Sequence, residues 1–239
     1  MKGTIGQVKA LVFDVFGTVV DWRGSVIREL QRVARARGVV LDAAAFADAW
    51  RGRYQPSMNR VRSGAQAWTN LDALHRDSLE HLLREFRLEG LSADEIDHLN
   101  RVWHRLRPWP DAVSGLRRLK KRYVLATLSN GNVALLVNMA RHARLPWDCI
   151  LSAELFRHYK PDAEVYLGAA ALLGLAPAEV MMVAAHKGDL EAAKRCGLHT
   201  AFVHRPLEFG PGRKADRGGA PYIDVAARDF NALAGKLGA

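Results

Sequence analysis

Leu11-Val-Phe-Asp-Val-Phe-Gly-Thr18 reads as the end of a buried strand running into a glycine turn. A short unbroken apolar run closed by turn residues is the form of a parallel strand covered on both faces. Asp14 then falls at the carboxyl edge of the sheet, where open α/β folds bind their ligands. Gly17 permits a sharp turn, and Thr18 offers a hydroxyl back toward the carboxylate. On these residues alone, an aspartate that merely caps the turn is an equal alternative.

Further apolar runs follow the same pattern, and they read as strands over Ala10–Phe13, Tyr123–Leu128, Cys149–Ser152, Val180–Ala184 and Thr200–Val203. Helical periodicity between them covers roughly Pro110–Lys121, Val133–Ala143, Ala163–Leu173 and Asp189–Cys196. That alternation predicts an α/β fold, a doubly wound parallel sheet with helices on both faces. Between about Arg23 and Arg107 it breaks down into amphipathic helical text alone: Ser25–Arg37, Ala43–Tyr54, Trp68–Glu85 and Ala93–Arg105. Ser92 followed by Glu95 is a capping-box pattern that starts the last of these. The segment is too long for a crossover and too apolar for a linker. The expected organisation is a core of residues 1–22 and 108–239, with residues 23–107 inserted as a helical cap.

Three more strand ends carry polar groups. Thr127-Leu-Ser-Asn-Gly-Asn132 brings Ser129 and Asn130 to the sheet edge before a helix, a source of donors for an anion; Asn132 alone would serve as a helix cap. In His158-Tyr-Lys-Pro-Asp162, the proline holds Lys160 in extended backbone, fit to project an ammonium into a cleft. In Met181-Met-Val-Ala-Ala-His-Lys-Gly-Asp189, the acid opens the next helix, where an N-cap is the plain alternative.

The 239 residues carry a formal charge of +10, but the densest run, Arg117–Arg122, sits at a predicted helix end, where cations complement the macrodipole. No zinc spacing, aromatic RNA-binding sequence or Gly-rich basic tail supports a nucleic-acid role. No apolar stretch is long enough to span a membrane, and the opening MKGTIGQVKA lacks the apolar core of a signal peptide. Cys149 and Cys196 have no metal-like spacing and read as reduced, packed thiols, so a cytoplasmic location is expected. Trp68 and Trp103 read as either core or interface, and a homodimer stays open.

In this order at strand ends, the four motifs closely resemble the haloacid dehalogenase superfamily over nearly the whole chain. The resemblance makes Asp14 the nucleophile, Ser129 the anion-binding hydroxyl, Lys160 the lysine and Asp189 the last acid. Phosphatases of that superfamily carry a second aspartate two positions after the nucleophile to protonate a departing alkoxide; here the position is Phe16. A phenyl ring cannot act as a general acid, whereas a halide leaves without a proton. The branch with an aromatic residue there and the phrase Ser-Asn-Gly is the (S)-2-haloacid dehalogenase branch, type II. Trp50-Arg51 matches its tryptophan and cap arginine, and Tyr166 its tyrosine six residues past the lysine. Arg51 could hold either a halide or a carboxylate, with a surface ion pair as the plain alternative. Many such enzymes read Ser-Ser-Asn where this chain has Ala184-Ala185-His186. His186 then faces substrate, water or halide, or is a packed loop histidine; the change fits a subgroup acting on haloacetates, fluoroacetate included.

The expected activity is hydrolytic dehalogenation of short 2-haloalkanoic acids through an ester on Asp14. Halide departs toward Arg51 and Asn130, while Ser129 and backbone N–H groups of the first turn hold the substrate carboxylate. Asp189 positions the water. Neither a metal nor another cofactor is expected, and the partner is a small haloacid rather than nucleic acid or membrane. The alternatives are a Mg²⁺-dependent phosphatase or phosphonate hydrolase, and a non-catalytic binding protein.

Overall fold

In the computed structural model, which describes residues 5–239, the buried stretch ending at Asp14 is the central strand of a six-stranded parallel sheet. Residues 1–4, part of the opening read for a signal peptide, lie outside the described residues. The chain runs β1 (Ala10–Phe13), β2 (Val20–Asp21), α1 (Trp22–Arg37), α2 (Ala43–Gly52), α3 (Tyr54–Arg62), α4 (Leu71–Glu85), α5 (Ala93–Asn100) and β3 (Arg107–Pro108). It continues through α6 (Ala112–Leu119), β4 (Val124–Ser129), α7 (Val133–Ala143), β5 (Cys149–Ser152) and α8 (Ala163–Leu172). Then come β6 (Val180–Ala184), α9 (Lys187–Arg195), β7 (His199–Val203), β8 (Val225–Ala227) and α10 (Phe230–Lys236).

The sheet order is β5-β4-β1-β6-β7-β8, so the winding proceeds in opposite directions on the two sides of β1. That reversal opens a crevice at the carboxyl ends of the strands. Phe13 is in register with Thr127 of β4 and Val183 of β6, which sets Asp14 level with the ends of both neighbours. Every residue of β1 is fully buried, and Phe13 packs against Trp147 and Phe230 with ring centroids 5.1 and 5.7 Å apart. Truncating such a core ring costs about 3–5 kcal/mol, so the strand that carries Asp14 is anchored from below.

Helices α1–α5 lie between β2 and β3, whose short antiparallel ribbon is where the chain leaves the sheet and returns. Their shared core is aromatic: Trp22, Phe46, Trp50 and Trp103 are all buried, with Trp103 edge-on to Trp50 and stacked near Trp22. Trp103 is thus core rather than interface. Both halves of the predicted capping box form, Ser92 Oγ accepting from Glu95 N–H and Glu95 from Ser92 N–H.

Several boundaries differ from the sequence reading. The helix expected over Ala43–Tyr54 stops at Gly52 and restarts at Tyr54, because Arg53 turns the chain between α2 and α3. The last helical stretch tightens into a 3-10 turn over Arg101–Arg105. Strand β8 and helix α10 had no matching expectation. They complete the sheet edge, and the basic run serves them: Arg118 donates to the carbonyls of Asn231 and Ala239, and Arg122 to that of Gly238. Both cysteines are unpaired and half-buried. No helix among the described residues is long and apolar enough to cross a membrane.

Candidate active site

A hydrogen-bonded turn follows β1. Val15 carbonyl accepts from the N–H groups of Val19 and Val20, and Gly17 N–H donates to Val20 carbonyl. Gly17 has φ +81, in the left-handed region where a side chain is strained. The turn is braced from outside. Trp109 Nε1 donates to Gly17 carbonyl at 2.8 Å, and buried Arg205 donates to Thr18 carbonyl at 2.8 Å while gripping Asp111 with both ends of its guanidinium. Asp14 is therefore presented by backbone that its surroundings hold still.

The Asp14 side chain is only 10% exposed. Its Oδ1 accepts from Lys160 Nζ at 3.1 Å; its Oδ2 accepts from Thr18 Oγ1 at 2.6 Å and meets His186 Nδ1 at 3.1 Å. Burial alone would raise its pKa, but the Lys160 ammonium, His186 and the Thr18 hydroxyl together hold it well below the ordinary carboxylate range. Lys160 also donates to Asp189 Oδ2 at 2.5 Å, and Tyr166 O–H donates to Asp189 Oδ1 at 2.6 Å. Burial opposes the lysine's charge, yet the two carboxylates push its pKa above the ordinary value. Asp189 moves the other way from Asp14: burial and the Asp14 charge raise it, against Lys160 and Tyr166. Two neighbouring carboxylates pushed apart in this manner suit an ionised nucleophile beside a base.

These groups open into a cavity of about 620 Å³ between the sheet edge and the helices of residues 23–107. From the sheet side come Asp14, Phe16, Asn130, Lys160, Tyr166, His186 and Asp189; from the helical side come Trp22, Arg51 and Tyr54. Arg51 stacks its guanidinium over the Tyr54 ring at 4.1 Å and stands 5.4 Å from that of Trp22. Its Nη1 is buried with no acceptor among the described residues, so it is a cation with an N–H to give. Asn130 uses Oδ1 to accept Lys160 N–H at 2.8 Å, which fixes the lysine's backbone against the second strand end.

Four expected contacts are corrected by this geometry. Trp50 does not line the cavity: it is 1% exposed and donates Nε1 to His75 carbonyl at 3.1 Å, so it supports Arg51 from behind. Ser129, the last residue of β4, is fully buried and its Oγ accepts Gly131 N–H at 3.2 Å, shaping the loop instead of facing an anion. Thr18 gives its hydroxyl to Asp14 as expected and accepts Ala185 N–H at 2.9 Å, but it is fully buried and so does not line the cavity as a substrate contact. Asp189 does not open α9; it is the third residue of that helix, a turn deeper than an N-cap, which lets it reach Lys160.

His186 reaches the nucleophile itself, and Glu208 faces its other ring nitrogen at 2.9 and 3.0 Å. Glu208 escaped sequence reasoning because it lies in a loop after β7, with no spacing that links it to any motif. Tyr54 was missed for another reason: it follows Arg51 by three residues, but the break between α2 and α3 disguises a shared face. Asn132 caps nothing with its side chain; it donates to Asp72, while Glu154 takes Val133 N–H at the start of α7.

A family profile described as haloacid dehalogenase-like hydrolase matches residues 8–197. The chain belongs to that family. Among curated members of this hydrolase family, (S)-2-haloacid dehalogenase 4A of Burkholderia cepacia is 31% identical, over 87% of this chain and 90% of its own. A solved L-2-haloacid dehalogenase is 50% identical with a TM-score of 0.93, covering 97% of this chain and 99% of its own. A defluorinating L-2-haloacid dehalogenase is 47% identical with a TM-score of 0.94, covering 97% and 96%. Lys160 bridges Asp14 and Asp189, and no cluster of three acidic, histidine or cysteine side chains occurs among the described residues.

Proposed function

We propose that this hydrolase cleaves the carbon–halogen bond of short 2-haloalkanoic acids, haloacetates and (S)-2-haloacids, giving 2-hydroxy acids through an ester on Asp14. One observation carries the reading: the Asp14 carboxylate, held ionised by Lys160, His186 and Thr18, shares its cavity with Phe16, at the position where a phosphatase would need its acid. With no group at that position to protonate an alkoxide, the bond that Asp14 can break is one whose leaving group departs as a stable anion.

The first step is backside attack by Asp14 on the halogen-bearing carbon, splitting one displacement into two. The halide leaves toward Arg51, whose free Nη1 N–H sits in aromatic surroundings, and toward the Asn130 amide. The substrate carboxylate is held by N–H groups of the turn; no backbone carbonyl among the described residues accepts from Val15 or Phe16. Water activated by Asp189 then attacks the acyl carbon of the ester. Tyr166 keeps Asp189 in place, and burial with the Asp189 charge raises the phenol's own pKa so that it stays a donor. Backside attack inverts a chiral centre, so an (S)-2-haloacid yields an (R)-2-hydroxy acid. Residues 23–107 act as a cap that covers the carboxylates and excludes bulk water. We place the enzyme in the cytoplasm, in keeping with its unpaired thiols.

The test is halide release from chloro-, bromo- and fluoroacetate and both 2-chloropropionate enantiomers, with and without EDTA. Release from chloroacetate and (S)-2-chloropropionate, indifferent to EDTA, is expected. No release from any of the five, together with EDTA-sensitive phosphate release from phosphomonoesters, would replace this reading with the phosphatase one.

A further inference from the structure

Both ring nitrogens of His186 face carboxylates, Nδ1 at 3.1 Å from Asp14 Oδ2 and Nε2 at 2.9 and 3.0 Å from the two oxygens of Glu208. A neutral imidazole carries a lone pair on one nitrogen, which would then point at an anionic oxygen. Only the imidazolium, with N–H at both positions, satisfies both contacts. Glu208 is built into this place. Its side chain is 2% exposed, it accepts a further bond from Trp22 Nε1 at 3.3 Å, and it lies against Gly17. A Cβ on Gly17 would collide with Glu208 Oε1, so the glycine that turns the chain after the nucleophile also admits this carboxylate.

The donors divide unevenly over Asp14. Oδ2 accepts from Thr18 and faces His186, whereas Oδ1 accepts from Lys160 alone. A carboxylate oxygen offers about two lone-pair sites. Oδ2 is therefore saturated, and Oδ1 keeps a lone pair for carbon.

We propose that Glu208 is a positioning residue that holds His186 as an imidazolium, and that this ring and the Thr18 hydroxyl form the oxyanion site for hydrolysis of the Asp14 ester. The proposal rests on the dehalogenase reading and assigns the second step of that reaction. In the first step Oδ1 bonds to carbon, and the halide leaves with the carbon–halogen electron pair. Oδ2 becomes the ester carbonyl oxygen, still facing its two donors. Water then adds to the acyl carbon and gives one proton to Asp189, and the carbonyl pair moves onto Oδ2. Preorganised donors at that atom stabilise the charge as it develops. Collapse breaks the bond between the acyl carbon and Oδ1. The departing alkoxide takes the proton from Asp189, and the second water proton is released as Asp14 returns to carboxylate. Each turnover yields one halide, one proton and one hydroxy acid.

The charged groups around the ring agree with this assignment. Glu208 and Asp14 touch it, and Lys160, Asp189 and Arg51 line the same cavity. Burial works against the charge, yet the two touching carboxylates push the imidazole up to about 10.

Glu208→Gln keeps the shape and removes the charge. Nitrogen NMR titration of the full chain, with the His186 signals assigned by their loss in His186→Asn, needs no substrate. In the wild type both His186 nitrogens carry protons at neutral pH; in Glu208→Gln the midpoint falls by about two pH units. Rapid-quench kinetics with (S)-2-chloropropionate keep a full first-turnover burst of halide, while hydroxy-acid formation slows about 100-fold. The upper limb of its pH profile falls with the NMR midpoint. A folded Glu208→Gln with an unmoved midpoint, or with unchanged ester hydrolysis, overturns the proposal, as does a neutral His186 in the wild type at pH 7. Should Glu208→Gln not fold, Glu208→Asp replaces it: a smaller drop in the midpoint supports the proposal and none overturns it. A wild type that releases no halide sinks the dehalogenase reading and this step with it, while the NMR titration still decides the pairing by itself.

Discussion

The two walls of the cavity are built on opposite plans. On the sheet side each ionisable group is already engaged: Asp14 with Lys160, Thr18 and His186, and Asp189 with Lys160 and Tyr166. On the helical side, Arg51 Nη1 is buried without a partner among the described residues, and in the core behind that wall so are both ring nitrogens of His75. The sheet wall is machinery set in advance, with charges balanced before any ligand arrives. The helical wall holds an unspent cation among Tyr54 and Trp22, prepared for an anion that comes and goes. A mutation on the sheet wall should therefore strike the chemical steps, and one on the helical wall should strike anion binding or stability.

The largest expected effect is at the nucleophile. Asp14→Asn removes the attacking oxygen's charge and should lower kcat at least about 10⁴-fold in a halide-release assay; residual activity near wild type would break the division outright. Next is Lys160→Met, which leaves Asp14 and Asp189 buried without their shared cation. Thermal or denaturant unfolding should show a loss of about 3–5 kcal/mol, and kcat should fall with it.

On the opposite wall, Arg51→Lys keeps a charge but loses the planar fork stacked on Tyr54. Losing a hydrogen bond to a charged ligand costs about 1.5–3 kcal/mol, so kcat/KM should drop about 10–100-fold. An effect as large as that of Asp14→Asn would erase the contrast between the walls.

The smallest effect concerns His75, which burial holds neutral, its pKa pressed down to about 3 from 6.5. Because the folded-state pKa is the lower one, the unfolded chain takes a proton first as pH falls. Stability therefore drops below pH 6.5 by up to about 1.4 kcal/mol per pH unit, until the folded ring titrates too. His75→Phe fills the same stack on Trp103 without the orphaned nitrogens. It should flatten that acid slope between pH 6 and about 4.5, above the range where carboxylates such as Asp14 contribute. An unchanged slope would show that His75 is not the group responsible.

What could be read from the chain beforehand was position, and what could not was direction. Strand ends declare themselves through apolar runs and turn residues, so the placement of Asp14, Lys160 and Asp189 near one sheet edge is legible in the sequence. Orientation is set by tertiary packing. Ser129 and Asn130 are adjacent, yet one is fully buried beneath the loop and the other lines the cavity. Trp50 and Arg51 divide in the same manner, because successive helix positions face different surfaces. Glu208 had no local signal, since its meaning comes from packing over Gly17 and against His186. Strand β8 was hidden because it is short and only part-buried, without the long apolar run that marked the others.

The central claim is that the oxygen delivered to product comes from Asp14. A single turnover in heavy-oxygen water, followed by mass analysis of the peptide containing Asp14 and of the hydroxy acid, tests it directly. The account predicts a heavy oxygen in Asp14 and an unlabelled product hydroxyl. A labelled product from the first turnover, with Asp14 unlabelled, would mean that water attacks the substrate carbon itself and would contradict the ester mechanism.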